Sequence, residues 1–158
     1  MTEKKLVINY KQYNSIAELD QKDQELFSKA VEATKGSYAP YSNFNVGAAV
    51  RMSNGAVVKG ANQENAAYPS GLCAERTAIF SAHANFPNEI IEAIALTGAK
   101  NGSLMPSITY PCGACRQVMS ESQTRAGRPI RIIIGSANKI LVYDSVEDIL
   151  PFQFDNLE

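Results

Sequence analysis

The sequence predicts an α/β protein in which a central sheet is covered on both faces by helices. Two observations lead to this prediction. Segments with a strand pattern alternate with segments of helical spacing, and the 158 residues, 45% of them hydrophobic, are enough to bury one full core. The chain shows no internal repeat and no low-complexity tract, so a single catalytic or binding domain is expected.

The first elements lie before residue 37. Residues 4–13 alternate as a short strand does, and residues 15–18 (Ser-Ile-Ala-Glu) have the form of a capping box that opens a helix. From residue 20 to residue 35 apolar side chains recur at helical spacing, and Gly36 can end the helix. This region therefore predicts one strand and one long helix.

A β-hairpin is predicted next, because residues 44–52 and 56–61 flank an Asn-Gly turn. An irregular stretch over residues 62–71 then leads into a buried helix over residues 72–84. The remaining predicted elements are strands over residues 90–98, 107–110, 130–136 and 140–143, a helix beginning at Pro111, and a short helix over residues 146–150.

The charge balance argues against a polyanionic partner. A formal net charge of −1 gives no long-range attraction to phosphate backbones or anionic lipid. The most basic stretch, residues 125–131, is interpreted as a solvated loop that runs into a strand. No segment has the apolar length of a signal peptide or a membrane span, so we expect a cytoplasmic protein without nucleic-acid or membrane partners.

All three cysteines lie in two short segments, residues 73–76 (Cys-Ala-Glu-Arg) and residues 111–115 (Pro-Cys-Gly-Ala-Cys). Three thiolates can hold one zinc ion and leave its fourth position open, as catalytic zinc sites do. The spacing Cys-x-Glu followed by Pro-Cys-x-x-Cys matches the zinc deaminase signature with cysteine as the first ligand. The sequence therefore predicts a catalytic zinc site.

Each cysteine segment lies at the start of a predicted helix. Cys112 and Cys115 share a helix face, and the positive end of each helix dipole favours thiolate over thiol. Three thiolates and Zn²⁺ sum to −1, so hydrogen bonds to the sulfurs should offset this charge. Arg76 and Arg116, each directly beside a ligand, are the candidates, and an ordinary ion pair is the alternative for both.

Glu75 is the candidate proton carrier. Zinc lowers the pKa of a bound water toward ~7, so a carboxylate two residues from Cys73 can take its proton. The alternative for Glu75 is a solvent-exposed helix position. The one histidine, His83, falls in the last turn of the same predicted helix, where it complements the helix dipole. The proton transfers are thus assigned to a carboxylate.

Two other readings of the cysteines stay open at this point. A disulfide between Cys112 and Cys115 would leave Cys73 and Glu75 without a role, and an odd number of cysteines argues against a disulfide framework. A structural zinc in an interaction module would need a fourth ligand, such as His83 or an aspartate.

At these segments the chain resembles the cytidine deaminases, specifically the small class whose zinc is held by three cysteines. The matching stretches are YAPYSNFNVGAA (residues 38–49), GANQENAAY (60–68), GLCAERTA (71–78), PCGACRQV (111–118) and LPFQF (150–154). The resemblance implies a three-layer α/β/α cytidine deaminase-like fold with a central mixed five-stranded sheet. It also implies one zinc per subunit on Cys73, Cys112 and Cys115, and hydrolysis of cytidine and 2′-deoxycytidine to the uridines and ammonia, a step of pyrimidine salvage.

The resemblance further implies the substrate-binding residues. Asn62 and Glu64 would hydrogen-bond the ribose, Phe44 would pack over the pyrimidine, and Tyr68 would line the same pocket. From the residues alone, Asn62 and Glu64 are more readily interpreted as loop caps and turn residues, and Phe44 as a core residue. Two polar groups two residues apart point the same way only where the backbone is extended.

The ends of the chain carry the remaining expectations. Phe154 resembles a C-terminal aromatic that enters the pocket of a neighbouring subunit in a homotetramer, although Phe152 is a nearby rival and either could be a core residue. Residues 1–20 extend beyond the start of the family pattern, so we expect an N-terminal extension followed by one deaminase domain over residues 21–158.

Two rival activities share the zinc site. A deaminase of another small aminopyrimidine, such as blasticidin S, would make less use of Asn62 and Glu64. A nucleic-acid-editing deaminase is disfavoured, because the chain has no basic excess and those enzymes usually place histidine where Cys73 stands.

Overall fold

The computed structural model describes residues 1–155 and confirms an α/β architecture with one sheet between layers of helices. Helix α1 (Gln21–Ala33) lies on one face of the sheet, and α2 (Ala74–Asn85) and α3 (Gly113–Ala126) lie on the other. The three layers expected from the family resemblance are therefore present. No helix in this part of the chain is long and apolar enough to cross a membrane.

The sheet is mixed and has seven strands in the described residues. They are β1 (Lys11–Tyr13), β2 (Asn45–Met52), β3 (Val57–Ala61), β4 (Ile91–Lys100), β5 (Ser103–Leu104), β6 (Arg131–Gly135) and β7 (Ile140–Tyr143). Their order is β1-β7-β6-β4-β2-β3, with β5 paired to β4, and only β4 and β6 run parallel.

The family resemblance implied five strands, and the structure adds two short ones to them. The N-terminal segment supplies β1, which pairs antiparallel with β7. Strand β5 folds back on β4 because Asn101 and Gly102 take positive φ angles of 52° and 80° and form a tight turn. The other five strands form the predicted central sheet.

Each face of the sheet buries its own apolar cluster, because successive strand residues point to opposite sides. The cluster under α1 combines Leu26, Phe27 and Ala30 with Ala49, Ala95 and Ile133. The cluster under α2 and α3 combines Ala78, Ile79 and Met119 with Val50, Leu96 and Ile134. The second cluster supports the helix starts that carry the cysteines.

Several local predictions need correction. The strand expected over residues 4–13 is limited to Lys11–Tyr13, and no strand forms over residues 107–110, which lead as a loop into Pro111. Two expected short helices are single 3₁₀ turns, at Ile16–Glu18 and Val146–Asp148. Such segments are too short to repay the cost of starting an α-helix.

Candidate active site

The fold brings the three cysteines together from two helix starts. Cys73 is the N-cap of α2, Cys112 is the N-cap of α3, and Cys115 lies in the first turn of α3. Their sulfur atoms all lie within 4.8 Å of one another, and the Sγ atoms of Cys73 and Cys112 are 3.9 Å apart. This confirms the sequence prediction that the three cysteines form one cluster.

The cluster fits a tetrahedral zinc ion. Thiolates bound to zinc at about 2.3 Å stand about 3.8 Å apart at the corners of a tetrahedron. The three cysteines are free thiols, and within residues 1–155 they form the one group of side chains arranged to hold a metal. His83, the candidate fourth ligand of a structural site, instead pairs its Nε2 with the Ser122 hydroxyl at 3.2 Å. The protein side of the site therefore offers three sulfurs and leaves one position open.

Glu75 lies beside the sulfurs rather than in solvent. It occupies the first turn of α2 and is only 4% exposed. Burial raises the pKa of its carboxyl group, and the neighbouring Cys73 adds to this shift. A carboxyl group with a raised pKa can hold a proton closer to neutral pH and release it again.

The two arginines have different partners. The Nη2 of Arg76 lies 3.6 Å from the Sγ of Cys73, as predicted. Hydrogen bonds from the Cys115 thiol, and then from Arg76, lower the pKa of Cys73 to about 5. Both favour a thiolate at the position of the first ligand.

The expected bond from Arg116 to a sulfur is not found in the described structure. Its Nε donates to the carbonyl of Pro111 and its Nη1 to the carbonyl of Ile149, each at 2.9 Å. The side chain turns back from the first turn of α3 toward these carbonyls. Arg116 therefore fixes the loop before Cys112 and ties it to the C-terminal segment.

A cavity of about 530 Å³ opens next to Cys73 and Arg76. Three predicted substrate residues, Asn62, Glu64 and Tyr68, line it together with Tyr41, Ser42, Gln63, Asn65, Gly71 and Leu72. The cavity thus joins Cys73, one of the three candidate zinc ligands, to the polar pair that the family resemblance singled out.

Two predicted substrate residues, Phe44 and Phe154, lie outside the cavity lining, as do Glu75, Cys112 and Cys115. The ring of Phe44 packs over Gly98, with its Cζ only 2.9 Å from where a Cβ on that glycine would stand. The side chain of Phe154 is 68% exposed, and its backbone is held by Gln117, whose Nε2 donates to the Phe154 carbonyl at 2.6 Å.

Asn62 connects three parts of the cavity wall. Its Oδ1 accepts hydrogen bonds from the Ser37 hydroxyl at 2.6 Å and the Val46 N–H at 2.8 Å, and its Nδ2 donates to the Phe44 carbonyl at 2.9 Å. The loop-cap reading of the sequence therefore holds as well. One hydrogen on Nδ2 remains for a ligand.

Glu64 holds the loop that contains Tyr41 and Ser42. Its carboxylate accepts hydrogen bonds from the Tyr41 N–H at 2.9 Å, the Ser42 N–H at 3.3 Å and the Ser42 hydroxyl. The bond from the Ser42 hydroxyl is the main reason why the pKa of Glu64 is lowered, so the cavity carries a negative charge there. Sequence reasoning missed Tyr41 and Ser42, since nothing in their spacing links them to residue 64.

The comparisons with known proteins agree with this geometry. The family model of the cytidine and deoxycytidylate deaminase zinc-binding region matches residues 20–127, which include both cysteine segments. A curated cytidine deaminase of Halalkalibacterium halodurans is 37% identical over 131 residues, 83% of this chain and 92% of that protein. The crystal structure of cytidine deaminase from Burkholderia pseudomallei aligns with a TM-score of 0.70 at 39% identity, covering 82% of this chain and 97% of that one.

A more distant relative bears on the rival activity. A blasticidin-S deaminase of Bacillus cereus is 27% identical over 138 residues, 86% of this chain and 94% of that protein. Relatives that are named for different substrates thus each align with more than 80% of this chain. The family match over 108 residues and the sulfur cluster at its centre lead to one conclusion: this chain belongs to the cytidine and deoxycytidylate deaminase family.

Proposed function

We propose that this protein is a zinc-dependent cytidine deaminase, which hydrolyses cytidine and 2′-deoxycytidine to uridine and 2′-deoxyuridine with release of ammonia. The observation that carries the proposal is the cluster of Cys73, Cys112 and Cys115 beside buried Glu75, with Cys73 in the wall of a cavity of about 530 Å³. The curated cytidine deaminase that covers 83% of the chain supports the same substrate class.

The chemistry divides between the metal and Glu75. When bound by the three cysteines, zinc supplies a Lewis acid that makes water acidic and nucleophilic near neutral pH. Glu75 takes the two protons of the attacking water in turn and delivers one to the ring nitrogen N3 and the other to the departing amino group. Oxygen from water replaces the amino nitrogen at C4, and ammonia leaves. The buried position of Glu75 raises its pKa and so suits it to carry the proton between these atoms.

The arginines are assigned to support this step. Arg76 donates to the sulfur of Cys73 and offsets part of the charge of three thiolates. Arg116 holds the carbonyl of Pro111, and with it the loop that presents Cys112. Arg76 therefore acts on the electron density of the Cys73 ligand, and Arg116 acts on the position of the Cys112 ligand.

The sugar is assigned to the polar end of the cavity. Asn62 can donate its remaining N–H, and Glu64 can accept from a ribose hydroxyl while it stays bonded to Ser42. The cavity lining holds the Glu64 carboxylate, and Arg76, the one cation among the described lining residues, is engaged with Cys73. This balance favours a neutral nucleoside over a nucleotide. We assign Phe44 to packing against the pyrimidine and Tyr68 to the cavity wall.

We further propose a homotetramer with its sites at subunit interfaces. Tyr68 is 79% exposed and Phe154 is 68% exposed in the single chain, so both rings present area that a neighbour can cover. Phe154 is assigned to a neighbouring cavity in preference to Phe152. Sedimentation velocity of the wild type and of Phe154→Ala and Phe152→Ala variants tests the assembly. A wild-type monomer with full activity would contradict it.

The proposed domain boundary and location follow from the same features. Residues 1–20 form an extension, and residues 21–158 carry the catalytic domain, in agreement with a family match that begins at residue 20. Three free cysteines side by side favour a reducing compartment, and the cytoplasm provides one.

The deciding experiment follows the loss of ultraviolet absorbance when purified protein is mixed with cytidine, before and after chelation and after zinc is added back. The substrate panel contains 2′-deoxycytidine, cytosine, deoxycytidylate and blasticidin S. We expect turnover of the two nucleosides that chelation abolishes and zinc restores. Faster turnover of blasticidin S than of cytidine would favour the second candidate function, which is deamination of blasticidin S. The similarity to the Bacillus cereus relative is the reason for including it.

A further inference from the structure

Strand β3 and helix α2 approach so closely that Gly60 has no room for a side chain. A Cβ on Gly60 would lie 2.4 Å from the carbonyl oxygen of Ala74 and 2.4 Å from the backbone nitrogen of Ala78. Both atoms belong to the helix backbone, so no side-chain rotation can relieve the overlap. Any larger residue at position 60 must push the beginning of α2 away from the sheet.

The part of α2 that would move is the part that carries the chemistry. Cys73 is the N-cap of this helix and Glu75 lies in its first turn. Thr77 ties the turn together, because its N–H and its hydroxyl both donate to the carbonyl of Cys73 at 3.0 Å. The turn is therefore expected to shift as a unit when its contact with β3 is disturbed.

The other two sulfurs are independent of this contact. Cys112 and Cys115 belong to α3, whereas the close contacts of Gly60 are all with α2. A shift of α2 would separate Cys73 from the other two ligands and change the 3.9 Å spacing between the sulfurs of Cys73 and Cys112.

We propose that Gly60 is a positioning residue for the zinc site. By allowing the helix backbone to rest directly on β3, it sets the distance between the helix start that carries Cys73 and the helix start that carries Cys112 and Cys115. The inference rests on the zinc site of the proposed function and adds a residue that touches neither metal nor substrate.

The chain offers a matched control in Gly47. The two glycines lie in paired strands, where Gly47 faces Ala61 and Gly60 faces Ala48. A Cβ on Gly47 would also meet helix backbone, 2.1 Å from the Ala30 carbonyl and 2.6 Å from the Thr34 nitrogen. Those atoms lie at the end of α1 and just beyond it, on the side of the sheet away from the cysteines.

The experiment compares Gly60→Ala with Gly47→Ala. Zinc content is measured on the purified proteins, and the rate of zinc transfer from folded protein to a chromogenic chelator is followed below the melting temperature of each variant. We expect Gly60→Ala to release zinc about 10- to 100-fold faster than the wild type, the usual effect of disturbing the surroundings of a ligand. Gly47→Ala should melt earlier than the wild type and yet release zinc at nearly the wild-type rate.

Equal rates of release from both variants would overturn the proposal, because the effect would then follow general destabilisation. An unchanged rate in Gly60→Ala would overturn it as well. A wild-type protein that binds no zinc would instead overturn the proposed function, so the two failures are distinct.

A milder pair of variants covers the case in which Gly60→Ala does not fold. Ala78 and Ala82 are both fully buried on α2, one turn apart, and of the two only Ala78 supplies atoms nearest to the Cβ position of Gly60. Ala78→Val crowds the first turns, whereas Ala82→Val crowds the helix further from Cys73. Faster zinc release from Ala78→Val alone is expected. Faster release from Ala82→Val alone, or from both to the same extent, would contradict the proposal.

Discussion

The two ends of the cavity are built in different ways. At the metal end, Cys73 and buried Glu75 lie at the start of one packed helix, and the other two sulfurs lie at the start of a second. At the sugar end, Asn62 and Glu64 lie outside helices and strands and hold neighbouring loops by side-chain hydrogen bonds. Substitutions at the metal end should therefore change turnover or zinc binding, and substitutions at the sugar end should mainly change KM.

The largest effect is expected from Glu75→Gln. The change keeps the size of a buried side chain and removes the proton carrier, so turnover of cytidine should fall by about 100- to 10,000-fold. Zinc content and melting temperature should stay close to the wild type, because Glu75 is not a ligand. Glu121→Gln, an exposed change on α3, is the control. Full activity in Glu75→Gln would favour a structural zinc.

Arg76→Met should have the next largest effect, and on a different quantity. Without its hydrogen bond to Cys73, zinc affinity should fall about 10-fold or more in competition with a chelator. Arg116→Met is the matched variant, since it leaves the carbonyls of Pro111 and Ile149 without their donor. It should lower the free energy of unfolding by about 1.5–3 kcal/mol, the usual worth of hydrogen bonds to a charged group. The same zinc affinity in both variants would remove the distinction between the two arginines.

At the sugar end, Glu64→Gln should raise the KM for cytidine by about 10-fold, with little change in kcat, because it weakens binding of substrate and transition state alike. Steady-state kinetics measure both constants. Glu32→Gln replaces an exposed carboxylate that is paired with Lys29 and Lys59, and it should leave both constants unchanged. A fall in kcat alone in Glu64→Gln would mean that this residue acts on the chemical step.

The smallest effect is expected from Tyr68→Leu. The ring of Tyr68 meets that of Tyr41 edge to face, with centroids 6.5 Å apart, at the mouth of the cavity. Loss of such a contact should lower kcat/KM about two- to fivefold. Tyr10→Leu breaks a similar contact with Tyr143, outside the cavity lining, and serves as the control. Equal losses in both variants would show that the effect is not specific to the cavity.

The same contrast explains what the sequence could predict. Cys112 and Cys115 are three residues apart on one helix, and Glu75 is two residues from Cys73, so local spacing predicted the groups within each helix start. The layers of the fold followed from periodicity for the same reason. That the two helix starts share one ion, although Cys73 and Cys112 are 39 positions apart, was predicted from the zinc deaminase signature. The bond between Arg116 and Ile149 and the bond between Asn62 and Ser37 each join residues 25 or more positions apart. The bond between Arg116 and Pro111 depends on how the loop before α3 folds back. Only the assembled structure defines such contacts.

The pairing of β1 with β7 determines which sheet edge a truncation at the N-terminus would expose. It covers the outer edge of β7 from Lys11 to Tyr13 and adds an ion pair between Lys11 and Asp144 at 3.1 Å. A proteolytic cut after Tyr13 would uncover a row of backbone donors and acceptors next to apolar residues, which is a template for intermolecular pairing. Strand β1 thus covers one edge of the sheet, and a variant that lacks residues 1–13 is expected to lose solubility before it loses activity.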